Sequence, residues 1–224
     1  MGLNPIDLSL RQTLRERVAD TIRDAIIKGV LRPDGRIEES EMAARFNISR
    51  TPIREAIRQL EAEGFIKVLA RRGAYVAPIT EKNVREYYEI KSALEGCAAK
   101  LACARIKVDD INRMEEINAK LDDAHQKSDW KLAFELHNKF NDKIWRNCGN
   151  DKLYQMLQTL TRQFQRFRMI LTRSGRLEGS IKLNNDIISA FRGRNAELVE
   201  KLVKENAAYR GETLISEILK YGRV

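Results

Sequence analysis

The apolar residues Leu14, Val18, Ile22 and Ile26 recur at every fourth position, so a helix carries them on one face. The pattern predicts a helix from about Leu10 to Lys28, closed by Gly29. Leu31 to Ile37, with Pro33, Asp34 and Gly35, reads as a turn leading into a short extended segment. A second helix is expected over roughly Ser40 to Phe46. A third starts at Ser49, a good N-cap, and ends at Gly64; it presents Ile53, Ala56, Ile57 and Leu60 to a core and Arg50, Arg54 and Arg58 on another face. Phe65 to Leu69 and Ala74 to Pro78 then read as a β-hairpin with a basic tip, Ala70-Arg71-Arg72-Gly73. Three helices followed by a two-stranded wing make a winged helix-turn-helix.

Pro78-Ile79-Thr80 is the one convincing linker, with Thr80 an N-cap for the next helix. Beyond it there are only helical periods broken by turns. Val84, Tyr87, Ile90, Leu94, Ala98 and Leu101 stripe a long helix from about Glu81 to Arg105. Further helices are expected at about Val108 to Lys127, Trp130 to Asn147, Asp151 to Arg173, Leu177 to Arg192 and Ala196 to Tyr221. The expected fold is mainly α: an N-terminal winged helix-turn-helix over residues 1–78 and an all-α helical bundle of about six helices over 79–224.

Composition narrows the class. A hydrophobic fraction of 43% is enough to fill a core, and the longest apolar runs fall far short of the roughly 20 residues a bilayer span needs. The first residues lack a basic region followed by an apolar core, so a cytoplasmic protein with no membrane association is expected. Cys97, Cys103 and Cys148 form no CxxC pair, and Cys97 and Cys103 read as small apolar residues of a helix. The net charge of +9 favours an anionic partner, but residues 1–78 hold 14 basic against 11 acidic side chains, so bulk charge does not single them out. Clustering does: Arg45, Arg50, Arg54 and Arg58 lie within one short stretch and Arg71-Arg72 follow.

The third helix has the chemistry of a DNA reader. Its N-terminus offers unpaired backbone N–H groups to a phosphate, and the hydroxyls of Ser49 and Thr51 add donors. Arg50 and Arg54 are one turn apart, so both reach a groove in which an arginine fork pairs with guanine. An enzyme is not expected: the chain has no Gly-rich phosphate loop, no HExxH motif and no nucleophile with an evident base.

These residues carry a family resemblance. Gly29 to Ile37, Ser49 to Leu60, Glu63-Gly64 and Arg72 to Val76 resemble the N-terminal domain of GntR-type bacterial transcription regulators. Carried over by position, the resemblance implies DNA contacts at Ser40, Ser49, Arg50, Thr51, Arg54 and the wing glycine Gly73, with Arg72 beside it in the basic tip. Tyr88 to Glu95, Phe134 to Asn141, Cys148-Gly149-Asn150 and Asn184 to Asn206 resemble the FCD domain of the FadR branch. Many such domains hold a divalent metal with one aspartate and three histidines, which fall here at His137, Asn141, Asn184 and Asn206. The aspartate is a histidine and all three histidines are asparagines, and the chain has only His125 and His137. Amide oxygens are poor ligands for the metals imidazole holds, so no metal or other cofactor is expected.

Asparagine still donates and accepts, so an effector pocket lined by His137, Asn141, Asn184 and Asn206 is expected to hold a small carboxylate, with Lys91 and Arg162 or Arg166 as cationic partner. The alternative is that these positions are filled by packed side chains or water. The basic run Arg162, Arg166, Arg168, Arg173 and Arg176, interleaved with Phe164 and Phe167, reads first as a solvated face with packed aromatics; a helix interface, DNA or the effector are the alternatives. The whole reads as a ligand-responsive transcriptional regulator, with repression relieved by a small organic acid, that binds a palindromic double-stranded DNA operator as a homodimer. A metal-dependent regulator of the same family and a DNA-binding dimer without effector are the rivals.

Overall fold

The computed structural model describes residues 13–164 and 176–221. These form two compact units, one ending at Ile79 and the other spanning Thr80–Tyr221.

The first unit comprises α1 (Leu14–Ile27), β1 (Arg36–Ile37), α2 (Glu39–Phe46), α3 (Arg50–Ala62), β2 (Ile66–Leu69) and β3 (Gly73–Val76). Extended Thr13 opens α1 through a capping box: its hydroxyl accepts from Glu16 N–H, and its own N–H donates to the Glu16 carboxylate at 2.9 Å. The helix therefore begins at Leu14, not at Leu10. Lys28 ends it, and Gly29 follows at a φ of 73°. Val18, Ile22, Ile53, Leu60, Phe65 and Val76 are all fully buried, so α1, α3 and the hairpin share one core.

The expected two-stranded wing is a three-stranded antiparallel sheet in the order β1-β3-β2, with Arg36 opposite Tyr75 and Ile37 opposite Ala74. A two-residue strand shows no alternation along the chain; only the distant partner defines it. The hairpin strands themselves are shorter than expected, pairing Ile66 with Val76 and Leu69 with Gly73.

The second unit is a helical bundle: α4 (Glu81–Cys103), α5 (Val108–Gln126), α6 (Trp130–Arg146), α7 (Asp151–Gln163), α8 (Glu178–Arg192) and α9 (Ala196–Tyr221). Three helix starts have a polar cap at the expected place: Thr80, Asp129 and Asn150 accept from the N–H of Asn83, Leu132 and Leu153 at 3.2, 3.0 and 3.1 Å. α9 packs along α4, and α5 lies against α6 and α8. A Cβ on Gly211 of α9 would sit 3.0 Å from the Tyr88 ring, so this glycine lets the two helices approach closely.

Three expectations fail in this unit. α7 ends at Gln163 rather than Arg173, and Arg166, Phe167, Arg168 and Arg173 lie outside the described residues. On α4 the stripe is rotated: Ile90 is 53% exposed and Leu94 half-buried, whereas Lys91 and Glu95 are buried beside Tyr87, Tyr88 and Ala98. A periodicity that assumes charged residues face water misses a buried ion pair. Cys97 is exposed and does not pack; Cys103 is buried, and burial raises its thiol pKa. Phe134, Phe140 and Trp145 pack in the interior, whereas Trp130 is half-buried.

Candidate functional site

Two regions carry functional chemistry, one in each unit. In the first, Asn47 ends α2 in the left-handed conformation at a φ of 53°, which turns the chain tightly into Ser49, the extended N-cap of α3. Ser49 makes no side-chain capping bond and the first turn of α3 holds no acidic residue, so the positive end of the helix and the Ser49 hydroxyl are open to a phosphate. Ile53, Ala56, Ile57 and Leu60 fix the helix in the core. Ser40, Ser49, Arg50, Thr51, Arg54 and Arg58 are exposed. Arg54 Nε donates to Glu39 Oε2 of α2 at 2.6 Å, which ties the reading helix to the helix before it.

The wing tip lies between β2 and β3. Arg72 N–H donates to Leu69 O at 3.0 Å and the Tyr75 hydroxyl donates to Arg72 O at 3.2 Å. Arg72 and Gly73 are exposed, and Gly73 has a φ of 95°, a conformation that only glycine adopts without strain.

In the second unit, polar side chains from five helices meet in the interior. Asn206 and Arg210 lie one turn apart on α9, His137 and Asn141 on α6, Lys91 and Glu95 on α4, and Ser180 and Asn184 on α8; with Asn118 of α5, all are at most 7% exposed. One set forms a directed relay. The Ser180 hydroxyl donates to Asn206 Oδ1, Asn206 Nδ2 to Asn184 Oδ1 and Asn184 Nδ2 to Asn118 Oδ1, each at 2.8 Å. Asn118 Nδ2 ends it on Ile181 O at 3.1 Å and on Asn185 Oδ1 at 2.8 Å. Each amide in the series both donates and accepts, which offsets the cost of burial.

The other set is charged. Glu95 Oε1 pairs with Lys91 Nζ, and Glu95 Oε2 with Arg210 Nη2 at 3.3 Å. Arg210 Nη1 contacts His137 Nε2, which also lies 3.2 Å from Asn141 Nδ2. A guanidinium only donates, so His137 Nε2 accepts and the imidazole proton belongs on Nδ1. Lys91 Nζ further sits 5.4 Å from the Trp145 ring centre.

The structure thus brings Lys91, His137, Asn141, Asn184 and Asn206 into one interior, in two adjoining sets that share α9. It does not bring Arg162 there. Arg162 is exposed and lines a cleft of about 410 Å³ between α6 and α7, with Phe134, Asn138, Asp142, Trp145 and Arg146. Arg166 lies outside the described residues.

Residues 14–76 match the family described as bacterial regulatory proteins of the gntR family, and residues 86–208 match the FCD domain. The chain belongs to the FCD-bearing branch of the GntR family. Such proteins are DNA-binding transcriptional regulators, not enzymes. Relatives of this GntR regulator include the Nta operon transcriptional regulator of Aminobacter aminovorans, 29% identical over 65% of this chain and 69% of that protein. Another is the transcriptional repressor RspR of Escherichia coli, 25% identical over 89% of this chain and 88% of that one. The solved structure of E. coli McbR/YncC shares the fold, with a TM-score of 0.73 at 20% identity over 92% of this chain and 99% of its own. Among the described residues, no helix of the regulator is long and apolar enough to cross a membrane.

Sequence reasoning missed Glu39, Glu95, Asn118, Ser180 and Arg210. Three of these left a signal: Arg210 follows Asn206, Glu95 follows Lys91 and Ser180 precedes Asn184, each by four residues, so each shares a helix face with an expected site residue. Asn118 and Glu39 read as ordinary polar positions, because their partners lie on other helices.

Proposed function

We propose that this GntR regulator is a repressor that binds a palindromic operator as a homodimer and responds to a small carboxylate held, without a metal, in the polar interior of its FCD domain. The observation that carries the reading is Arg210. Its guanidinium contacts His137 at the place where the family resemblance puts a metal ligand, so a permanent cation already stands beside the donor set.

The residues do not suit a divalent metal. Three of the four positions offer amide oxygens, the only imidazole turns Nε2 to a guanidinium, and a second positive charge at that spot would be repelled. A cationic, hydrogen-bonding interior suits an organic anion instead. Repression is supported by the names of relatives such as RspR. Dimerisation is supported by an apolar surface where Ile90 and Leu94 of α4 meet Met156 and Leu160 of α7, with Ile90 53% and Met156 56% exposed, suited to a second copy.

The test combines metal analysis with a screen. Purified protein is expected to hold no stoichiometric metal, and a panel of organic acids to include one that changes operator affinity; that response should be lost in Asn141→Ala and Asn184→Ala. Stoichiometric zinc or nickel, or a response that both variants retain, would overturn the reading.

A further inference from the structure

The wing is joined to the reading helix at its root and held by that helix again near its tip. At the root, α3 runs into β2 through Gly64 and Phe65; Phe65 N–H donates to Leu60 O at 2.9 Å, and Ile66 shares the buried core with Leu60. Side chains alternate along a strand, so Ile66 and Val68 lie on the same face of β2. Ile66 is 2% exposed and Val68 45%, so the apolar core holds the strand as far as Ile66 and no further. In the order β1-β3-β2, β2 is an edge strand, and its outer side faces no further strand among the described residues. On that side Val68 N–H donates to Glu61 Oε1, in the last turn of α3, at 3.2 Å.

The tip beyond Val68 is braced from within. Arg72 N–H closes the turn on Leu69 O at 3.0 Å, Arg71 takes a left-handed φ of 61°, and the Tyr75 hydroxyl donates to Arg72 O at 3.2 Å. A tip tied to its own strands moves with them as one piece. Its direction is therefore set by how the far end of β2 is fixed to α3.

We infer that Glu61 is a positioning residue: its carboxylate, reaching from the end of the reading helix to the far end of β2, sets the direction in which the wing presents Arg71 and Arg72 to DNA phosphates. The inference rests on the expectation that the basic tip meets DNA. The wing and α3 engage one duplex together, so the angle between them decides whether both sets of contacts form at once. A hairpin loose at its far end samples many directions, and ordering it on binding costs conformational entropy. With Glu61 bonded to Val68, that ordering is complete before DNA binds. The charge of Glu61 does the opposite, since a carboxylate repels phosphate, so the hydrogen bond and the charge act on affinity with opposite signs.

The test uses the full-length protein and the duplex it selects from a randomised DNA pool, with affinity read by fluorescence anisotropy at one low salt concentration throughout. Glu61→Gln keeps an oxygen that accepts from Val68 N–H. Glu61→Ala removes the acceptor, and alanine favours helix, so α3 itself is not weakened. Both variants lose the same negative charge, and the difference between them reports the hydrogen bond alone. Glu61→Gln should bind at least as tightly as wild type and about threefold more tightly than Glu61→Ala. The comparison is repeated on a neutral tip, Arg71→Asn with Arg72→Ala, asparagine being tolerant of the left-handed conformation at position 71. There affinity should fall, and the difference between the two Glu61 variants should vanish. Equal affinities of Glu61→Gln and Glu61→Ala on the intact tip overturn the positioning role, as does a difference that persists on the neutral tip, which would place the effect in α3. If neutralising the tip leaves affinity unchanged, the tip does not meet DNA, and that expectation fails together with the inference.

Discussion

At the scale of single residues, Arg54, an expected DNA contact, is already held in place by a neighbouring helix. One nitrogen of its guanidinium is held by Glu39 at 2.6 Å, which limits how the exposed side chain swings. An exposed pair of this kind adds about 0.2 to 1 kcal/mol to stability, so its value lies in orientation. Arg50→Ala and Arg54→Ala should each weaken operator binding by about 1 to 3 kcal/mol if these residues read bases. Glu39→Gln should leave the melting temperature almost unchanged yet lower the ratio of operator to random-duplex affinity, measured by fluorescence anisotropy. An unaltered ratio in that variant would show that Arg54 needs no support from α2. Arg50 and Arg54 were legible from spacing and charge alone. Glu39 was not, because the two partners lie on different helices and the pairing has no periodic trace.

At the scale of elements, the helices are placed by their caps and tied together by a few charged contacts. Lys143 of α6 donates to Asp110 of α5 at 2.8 Å, and this bond, more than any other contact, holds the Asp110 carboxyl below its ordinary pKa. A carboxyl whose pKa is depressed by folding contributes stability that is present above the unfolded value, here near 3.8, and is lost as pH falls through the folded one. Lys143→Met should therefore cost up to about 1 kcal/mol at neutral pH. In denaturant titrations the gap from wild type should close as pH falls below 3.8; a gap that persists in acid would assign the cost to packing. Helix positions and the caps Ser49 and Thr80 were readable from local chemistry. The strand β1 and the buried face of α4 were not, since each is set by partners distant in sequence.

At the scale of the whole molecule, the proposed regulation requires two reading helices on one operator and an effector that distinguishes two arrangements. Charging the apolar surface with the double variant Ile90→Glu and Met156→Glu should convert dimer to monomer in sedimentation equilibrium. Operator affinity should then fall by at least tenfold, because each half-site binds without the effective concentration its partner provides. A variant that remains dimeric would place the interface elsewhere.

The sequence by itself determined the reader: cap, turn, arginines and wing follow one another along the chain, and local propensity with helical period is enough to order them. By its resemblance to FCD domains, it also led to the expectation that asparagines stand at three positions where many such domains have histidines. Only the tertiary structure decided what replaces them. The asparagine relay and the Lys91, Glu95 and Arg210 cluster join side chains from four helices. Burial there turns residues that look like solvated surface into a charged interior, and no one-dimensional pattern records that change of environment.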